Sequence, residues 1–356
     1  MSRIAVAMSG GVDSSVAAAL LKQQGHELIG LTMRLFKPQT SGPGSTAHDA
    51  AAVARQLGIP HRLLDLEPSF QELIVDDFVA QYRRGQTPNP CIRCNRHIKF
   101  GLLLDKARQL GAELLATGHY VRKTVDPDGV CHLRTAHNLA KDQSYFLYSL
   151  TQERLRQIVF PLGEIASKDE VRSLAAAFDL PVAAKGDSQE VCFIPNDDYV
   201  GFLECRDPQF GRPGEIVHRD GRILGRHNGI HRYTIGQRKG LGIGWHEPLY
   251  VLAIDAATNR VVVGEQPHLL TPGLEADEVS WLIPPTGTVF ETSCKIRYRH
   301  RPVPCRVALL ADDRCRVLFH EPQKSVTPGQ YVVFYQDDQV LGGGSITAAC
   351  DRFGQD

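Results

Sequence analysis

The sequence predicts an α/β protein: an N-terminal doubly wound parallel sheet, followed by a small central β-rich unit and a C-terminal β-barrel. Three observations predict it. Strand and helix patterns alternate through the first half, as consecutive βα units do. The apolar run Ile4-Ala5-Val6-Ala7-Met8 passes through a glycine turn into Val16-Ala17-Ala18-Ala19-Leu20-Leu21, the order strand, turn, helix. From about Gly211 glycine and proline become dense, β-branched residues cluster and helical periodicity fades. A chain of 356 residues exceeds the usual single-domain size, so the three parts are read as domains, with boundaries at 1–205, 206–270 and 271–356.

Each element follows from local pattern. After the opening unit come a strand at Leu28 to Leu35, a helix near Ala47 to Leu57, a strand near His61 to Leu66 and a helix near Phe70 to Tyr82. The stretch Lys37 to Ser45 is rich in Pro, Gly and Ser and reads as a mobile loop. A helix from Lys99 to Leu110 precedes the strand Glu113 to Thr117; helices resume near Gln152 to Val159 and Lys168 to Phe178, the latter with Ser167 as N-cap. In the central unit Tyr250 to Ile254 and Arg260 to Val263 form a hairpin around Thr258-Asn259. Strands near Ser293 to Tyr298, Cys305 to Leu310, Cys315 to Phe319 and Tyr331 to Tyr335 have the spacing of a small barrel.

Hydrophobic content of 42% is ample for a core, and no apolar stretch approaches bilayer length. The first strand begins at Ile4, leaving no room for a signal peptide, so the chain is read as cytoplasmic. In that compartment nine cysteines are better suspected as buried thiols, metal ligands or catalytic groups than as disulfides. Lys+Arg and Asp+Glu are both 40, so net charge gives no support to a nucleic-acid partner. Local charge does: Lys295, Arg297, Tyr298, Arg299, His300 and Arg301 in one unit, and Arg226, Arg232, Tyr233, Arg238 and Lys239 in another, interleave cations with rings. Singly, each is a solvated face. Two runs in separate small domains favour RNA. Gly240, Gly242 and Gly244 read equally as a hinge or a plain turn cluster.

The glycine turn reads Ser9-Gly10-Gly11-Val12-Asp13-Ser14-Ser15. Such a turn aims backbone N–H groups and the positive end of a helix dipole at one point, which suits a phosphate or pyrophosphate. No Lys follows the glycines, so the GxxxxGK[ST] phosphate loop is absent. The spelling SGGxDS resembles the PP-loop of ATP pyrophosphatases, which cleave ATP to AMP and pyrophosphate while adenylating an oxygen of a second substrate. In a parallel sheet ligands sit at the strands' carboxyl ends, where Thr117-Gly118-His119-Tyr120 also falls.

Thr87-Pro88-Asn89-Pro90-Cys91-Ile92-Arg93-Cys94-Asn95-Arg96 reads as a loop, on two prolines and two asparagines. Its CxxC spacing fits a redox pair, half a metal site or coincidence, and no second pair completes a zinc site. Arg93, Arg96, His97 and Lys99 crowd the thiols with positive charge, which should lower a thiol pKa. Cys192 lies in Asp187-Ser188-Gln189-Glu190-Val191-Cys192-Phe193-Ile194, where a buried strand cysteine is the bland alternative. Cys131, Cys205, Cys294, Cys305, Cys315 and Cys350 are taken as packing thiols.

These stretches, with KDQSYFLY at Lys141, YTIGQRKGLGI at Tyr233, IRYRH at Ile296 and TPGQYVVFY at Thr327, resemble the MnmA family of bacterial tRNA-specific 2-thiouridylases over essentially the whole chain. The resemblance implies ATP-dependent 2-thiolation of the wobble uridine of tRNAs reading Lys, Glu and Gln codons. By motif position, Cys94 matches the family's nucleophile and Cys192 the persulfide carrier. Ala7, Met8, Ser9, Gly10, Gly11, Val12, Asp13, Ser14, Met33 and Gly118 match the ATP site, with Asp13 a direct or indirect Mg2+ ligand. Asn89, Pro90, Cys91, His119, Lys141, Asp142, Gln143, Arg297, Tyr298 and Gln330 match tRNA-contacting positions. The sulfur donor it implies is a cysteine desulfurase or a persulfide relay protein.

Cys91 departs from the pattern, because many members carry aspartate there. A second reading makes Cys91, Cys94 and Cys192 ligands of a [4Fe-4S] cluster with one open iron. Two rivals stand beside both: a PP-loop enzyme adenylating a small molecule, which would not require the CxxC pair or two basic β units, and an RNA-binding module with a relic nucleotide site, which would be expected to lose Asp13.

Overall fold

The computed structural model describes residues 1–36, 45–186 and 191–350. The loop expected at Lys37 to Ser45 lies almost wholly outside them, as does Asp187 to Glu190. The chain divides into two compact units: one of 1–75, 91–189 and 338–340, the other of 76–90, 190–337 and 341–356.

The first unit is built on a parallel sheet. Its strands are β1 (Arg3–Ala7), β2 (Glu27–Arg34), β3 (His61–Asp65), β4 (Leu114–Ala116) and β7 (Ile158–Val159), in the order β3-β2-β1-β4-β7. The hairpin β5 (Val121–Val125) and β6 (Cys131–Thr135) lies between β4 and β7 in sequence. Around the sheet run α1 (Val12–Gln23), α2 (Thr46–Gln56), α7 (Gln152–Arg156) and α8 (Lys168–Ala177). β1 is central, and Ile4, Ala5 and Val6 are at most 1% exposed, as strands covered on both faces must be. Val16 to Ala19 of α1 pack into the same core as Val171 and Ala175 of α8. Ser167 caps α8 as expected, its hydroxyl accepting from the Glu170 N–H.

Two expectations need correction. The helix read as Gln152 to Val159 stops at Arg156, and Ile158–Val159 is a strand paired in parallel with Leu115 and Ala116. Two adjacent β-branched residues suit a strand better than a helix end. The CxxC stretch is helical rather than a loop: α5 (Pro90–Arg93) runs into a π-helical stretch, Cys94–Leu103, and then α6 (Leu104–Gln109). Pro90 takes the first helical position, where a missing N–H costs nothing. A similar composite helix joins α3 (Glu67–Phe70) through Gln71–Asp76 to α4 (Asp77–Arg83).

The second unit carries α9 (Tyr199–Arg206) and two β structures. The smaller is a four-stranded sheet of β8 (Gly214–His218), β9 (Ile223–His227), β10 (Leu249–Asp255) and β11 (Arg260–Glu265), in the order β10-β11-β8-β9. The β10–β11 hairpin is as expected, with Asn259 at φ 54° in its turn. The larger comprises β12 (Leu270–Trp281), β13 (Val289–Lys295), β14 (Val303–Leu309), β15 (Cys315–Lys324), β16 (Tyr331–Gln336) and β17 (Gln339–Cys350). They run β12-β15-β14-β13-β16-β17, and β12 pairs with β17 to close the barrel. Val307, Val317, Val332 and Phe334 fill its core.

Candidate active site

The glycine turn forms where sequence placed it, between the carboxyl end of β1 and the N-terminus of α1. Gly10 has φ +66°, and a Cβ there would lie 2.5 Å from the Thr46 carbonyl oxygen, so only glycine fits. Gly11 differs. A Cβ there would meet nothing nearer than Ser9 Oγ at 3.5 Å, so that face of the turn is open. Gly11 is also the N-cap of α1 and supplies no side-chain cap to the helix's first N–H groups. An uncapped helix start behind an open glycine is a cradle of the kind an anionic phosphate fills. The Ser14 hydroxyl is held by the Ser9 N–H at 3.1 Å and lies 3.2 Å from Ser9 Oγ, while Ser15 Oγ donates to the Gly11 carbonyl.

Neighbouring segments press on this turn. Gly118 follows β4, and a Cβ on it would come within 2.8 Å of the Ser14 nitrogen and 2.9 Å of the Asp13 carbonyl carbon. Met8 is buried and donates its N–H to Leu31; Met33 is half-buried on β2, at the same sheet end. Asp13 Oδ1 accepts from Tyr120 Oη and from Lys168 Nζ, each at 2.6 Å. Lys185 Nζ donates to the Gly10 carbonyl at 3.1 Å and to Asp49 at 2.6 Å. Sequence reasoning missed Tyr120, Lys168 and Lys185, whose separation along the chain from the turn hides them.

The cysteine helix belongs to the same unit from Cys91 onward. Cys91 is exposed, whereas Cys94, one turn on, is buried. The thiol of Cys91 sits above its ordinary pKa, raised by desolvation, with Lys99 pulling the other way. The expected lowering by nearby cations therefore fails at Cys91, where desolvation outweighs Lys99. His119 is buried, its Nδ1 is 2.8 Å from Thr117 Oγ1, and burial first and Lys99 second hold it well below its usual value, so the ring is neutral. Asn95 Nδ2 donates to the Phe146 carbonyl, fixing the π-helical stretch.

The Lys141-Asp142-Gln143 stretch divides. Asp142 is 4% exposed and its carboxylate accepts from the N–H groups of Ala136 and Ser144 and from Ser144 Oγ. Gln143 clamps Tyr120, accepting from its N–H and donating its own N–H to its carbonyl. Lys141 is half-buried.

In the second unit Cys192 is exposed on a turn, not buried in a strand. The apolar neighbours that favoured burial do pack: the Phe193 ring lies 5.3 Å from that of Phe78 and 5.4 Å from that of Phe202. Cys205 is also exposed and Cys350 half-buried, so neither is the packing thiol expected; Cys131, Cys294, Cys305 and Cys315 are buried. Arg297 donates to the Ser325 carbonyl, Gln330 Nε2 donates to the Thr87 carbonyl at 2.8 Å, and the Thr87 N–H donates to the Pro328 carbonyl at 2.9 Å. These bonds tie the barrel loop Ser325 to Gln330 to the chain just before Asn89 and Pro90. Arg232 is paired with Glu204 at 2.6 Å, and Arg226, Arg232 and Tyr233 line one shallow pocket.

The donor set accommodates Mg2+ at Asp13, whose Oδ2 has no partner among the described residues. Among the described residues no three His, Cys, Asp or Glu side chains gather to hold a metal ion; Cys91 and Cys94 lie in one unit and Cys192 in the other. No helix among the described residues is long and apolar enough to cross a membrane.

A parallel sheet whose first strand ends in an uncapped, glycine-fronted helix start is that of a nucleotide-binding α/β protein. Residues 2–196 match the family model for the tRNA methyl transferase HUP domain, 202–265 its PRC-barrel domain and 271–346 the aminomethyltransferase β-barrel domain. The chain is 74% identical over 350 residues to the tRNA-specific 2-thiouridylase MnmA of Trichlorobacter lovleyi, covering 98% of this chain and 99% of that one. It is 69% identical to the MnmA of Pelobacter propionicus, covering 99% of each. The U34-tRNA thiolase NcsA from Methanococcus maripaludis, solved with its [4Fe-4S] cluster, is 20% identical with a TM-score of 0.35, covering 58% of this chain and 67% of that one. The chain belongs to the tRNA-specific 2-thiouridylase MnmA family.

Proposed function

We propose that the chain installs sulfur at C2 of the wobble uridine in tRNAs reading Lys, Glu and Gln codons, using ATP and releasing AMP and pyrophosphate. It is a tRNA sulfurtransferase. The observation that carries the reading is the intact cradle at Ser9 to Ser15, with Asp13 in place, in a chain 74% identical over 350 residues to a 2-thiouridylase. Residues 1–205 form the chain's adenylating and thiolating domain, 206–270 a central tRNA-binding domain and 271–356 a C-terminal barrel domain.

The C2 carbonyl of uracil is a poor electrophile with a poor leaving group. Adenylation of its oxygen cures both faults, with N3 giving up its proton as the C2–O bond becomes that of a leaving AMP. The backbone N–H groups at the start of α1 hold the phosphates, and Ser9, Ser14 and Gly118 shape their approach. Asp13 would hold a magnesium ion, which would supply charge neutralisation for the pyrophosphate. The exposed Cys192 suits the persulfide carrier, which must meet a donor such as a cysteine desulfurase or a relay protein. Its terminal sulfur attacks C2 and AMP leaves; Cys94 thiolate then attacks the Cys192 sulfur, releasing 2-thiouridine, which regains its N3 proton. In the alternative order Cys94 first frees hydrosulfide, which attacks. Both routes end in a Cys94–Cys192 disulfide that an external dithiol reduces. Cys91, kept as a thiol, serves as a contact to the base rather than as a carboxylate-like general base. The anticodon loop is single-stranded, so extruding the base is inexpensive.

The test is Cys192→Ala with unmodified glutamate tRNA. AMP formation should persist while 2-thiouridine disappears; loss of both in a folded variant overturns the division of labour. AMP release driven by a small metabolite without RNA would favour the small-molecule adenylating enzyme instead.

A further inference from the structure

The ion pair on Asp13 has a consequence for how metal enters the site. Lys168 is the first residue of α8, next to the capping Ser167. A cation there opposes the helix dipole, whose favoured cation positions lie at the other end, so local helix energetics give no reason for it. Its ammonium instead reaches Asp13 Oδ1 at 2.6 Å, and its side chain is only 13% exposed. Tyr120, 3% exposed, gives its hydroxyl to the same oxygen at 2.6 Å. Two donors converge on Oδ1, and Oδ2 has no partner among the described residues.

We infer that Lys168 is a positioning residue for Asp13 that cancels its charge in the nucleotide-free protein, so that magnesium enters only together with ATP. The inference rests on the reading of Asp13 as a magnesium-side residue. A lone carboxylate paired with an ammonium offers a free divalent cation little net attraction, whereas the polyphosphate of ATP brings negative charge to the open face at Gly11. The fixed Oδ1 leaves Oδ2 as the one oxygen available to the arriving ion or its water shell. Tyr120 holds the carboxylate's rotation without altering its charge.

The experiment is direct Mn2+ binding to the full chain, followed by electron paramagnetic resonance, beside calorimetry with MgATP. In Lys168→Gln free Mn2+ should bind about tenfold or more tighter than to the unaltered chain, while MgATP binds about tenfold more weakly, since one positive charge has left both encounters. Lys168→Arg should restore both affinities, and Tyr120→Phe should leave free Mn2+ affinity within about twofold because no charge changes. A merely structural role would weaken both ligands together. Equal weakening, or unchanged Mn2+ affinity in folded Lys168→Gln, overturns the inference. Asp13→Asn separates the two readings: if it leaves AMP formation intact, the assignment of Asp13 itself fails.

Discussion

His119 and Cys91 show at single positions how burial overrides the charges visible in sequence. The buried imidazole of His119 stays neutral in the fold, while in the unfolded chain it protonates near its ordinary pKa of about 6.5. Below that value the unfolded state binds the extra proton, so this residue's contribution to stability falls as pH falls, by up to about 1.4 kcal/mol per pH unit until the depressed folded value is reached. Chemical denaturation between pH 7 and 5 should therefore show a shallower loss in His119→Gln than in the unaltered chain; equal slopes would place the proton elsewhere. Cys91 sits on an exposed residue yet carries a thiol whose pKa is raised. Alkylation followed by peptide mass spectrometry should show Cys205 modified readily at neutral pH and Cys91 only as pH rises past the ordinary thiol range. Fast labelling of Cys91 at pH 7 would restore the thiolate that neighbouring Arg93, Arg96 and Lys99 suggested. Residue types were legible in the sequence; their solvation was not, because desolvation, the larger cause at both groups, is set by the fold and not by spacing.

Among elements, the opening β1–turn–α1 unit was legible almost to the residue, since apolar runs on either side of SGGVDSS leave one solution. The helix carrying Cys91 and Cys94 was not. Proline and asparagine were read as loop formers, but Pro90 opens the helix and Asn95 Nδ2 donates to the Phe146 carbonyl. The hairpin β5–β6 also escaped, its charged alternation resembling ordinary surface. Packing of β4's successor segment against the turn gives a sharp test. In Gly118→Ala the new methyl meets backbone atoms of Asp13 and Ser14, which yield only if the turn moves. Overpacking of this kind costs about 1–3 kcal/mol, read here as roughly tenfold or greater loss of MgATP affinity by calorimetry with little change in tRNA binding. An unchanged ATP affinity would remove Gly118 from the nucleotide site.

For the whole molecule, the change of character at about Gly211 was readable because β-rich, glycine-dense sequence cannot sustain helices, and the parallel sheet and closed barrel both follow. Two of the barrel strands were missed. β12 begins Leu270-Thr271-Pro272-Gly273 and β17 contains Gly342-Gly343-Gly344, which read as turns; in the fold those glycines lie where strands press together, as at Gly342, whose Cβ would come 2.3 Å from the Ser280 carbonyl oxygen. The basic runs, by contrast, are partly committed internally: Arg232 to Glu204, and Arg297 to the Ser325 carbonyl. If sulfur passes through cysteine persulfide chemistry beside the ATP cradle, the protein requires no cluster. The most direct measurement is anaerobic thiolation of unmodified glutamate tRNA with ATP, magnesium and a persulfide donor, comparing cluster-free protein with protein treated to reconstitute iron and sulfide. Cluster-free protein should form 2-thiouridine at the full rate; activity confined to the reconstituted protein would overturn the persulfide route and make Cys91, Cys94 and Cys192 cluster ligands.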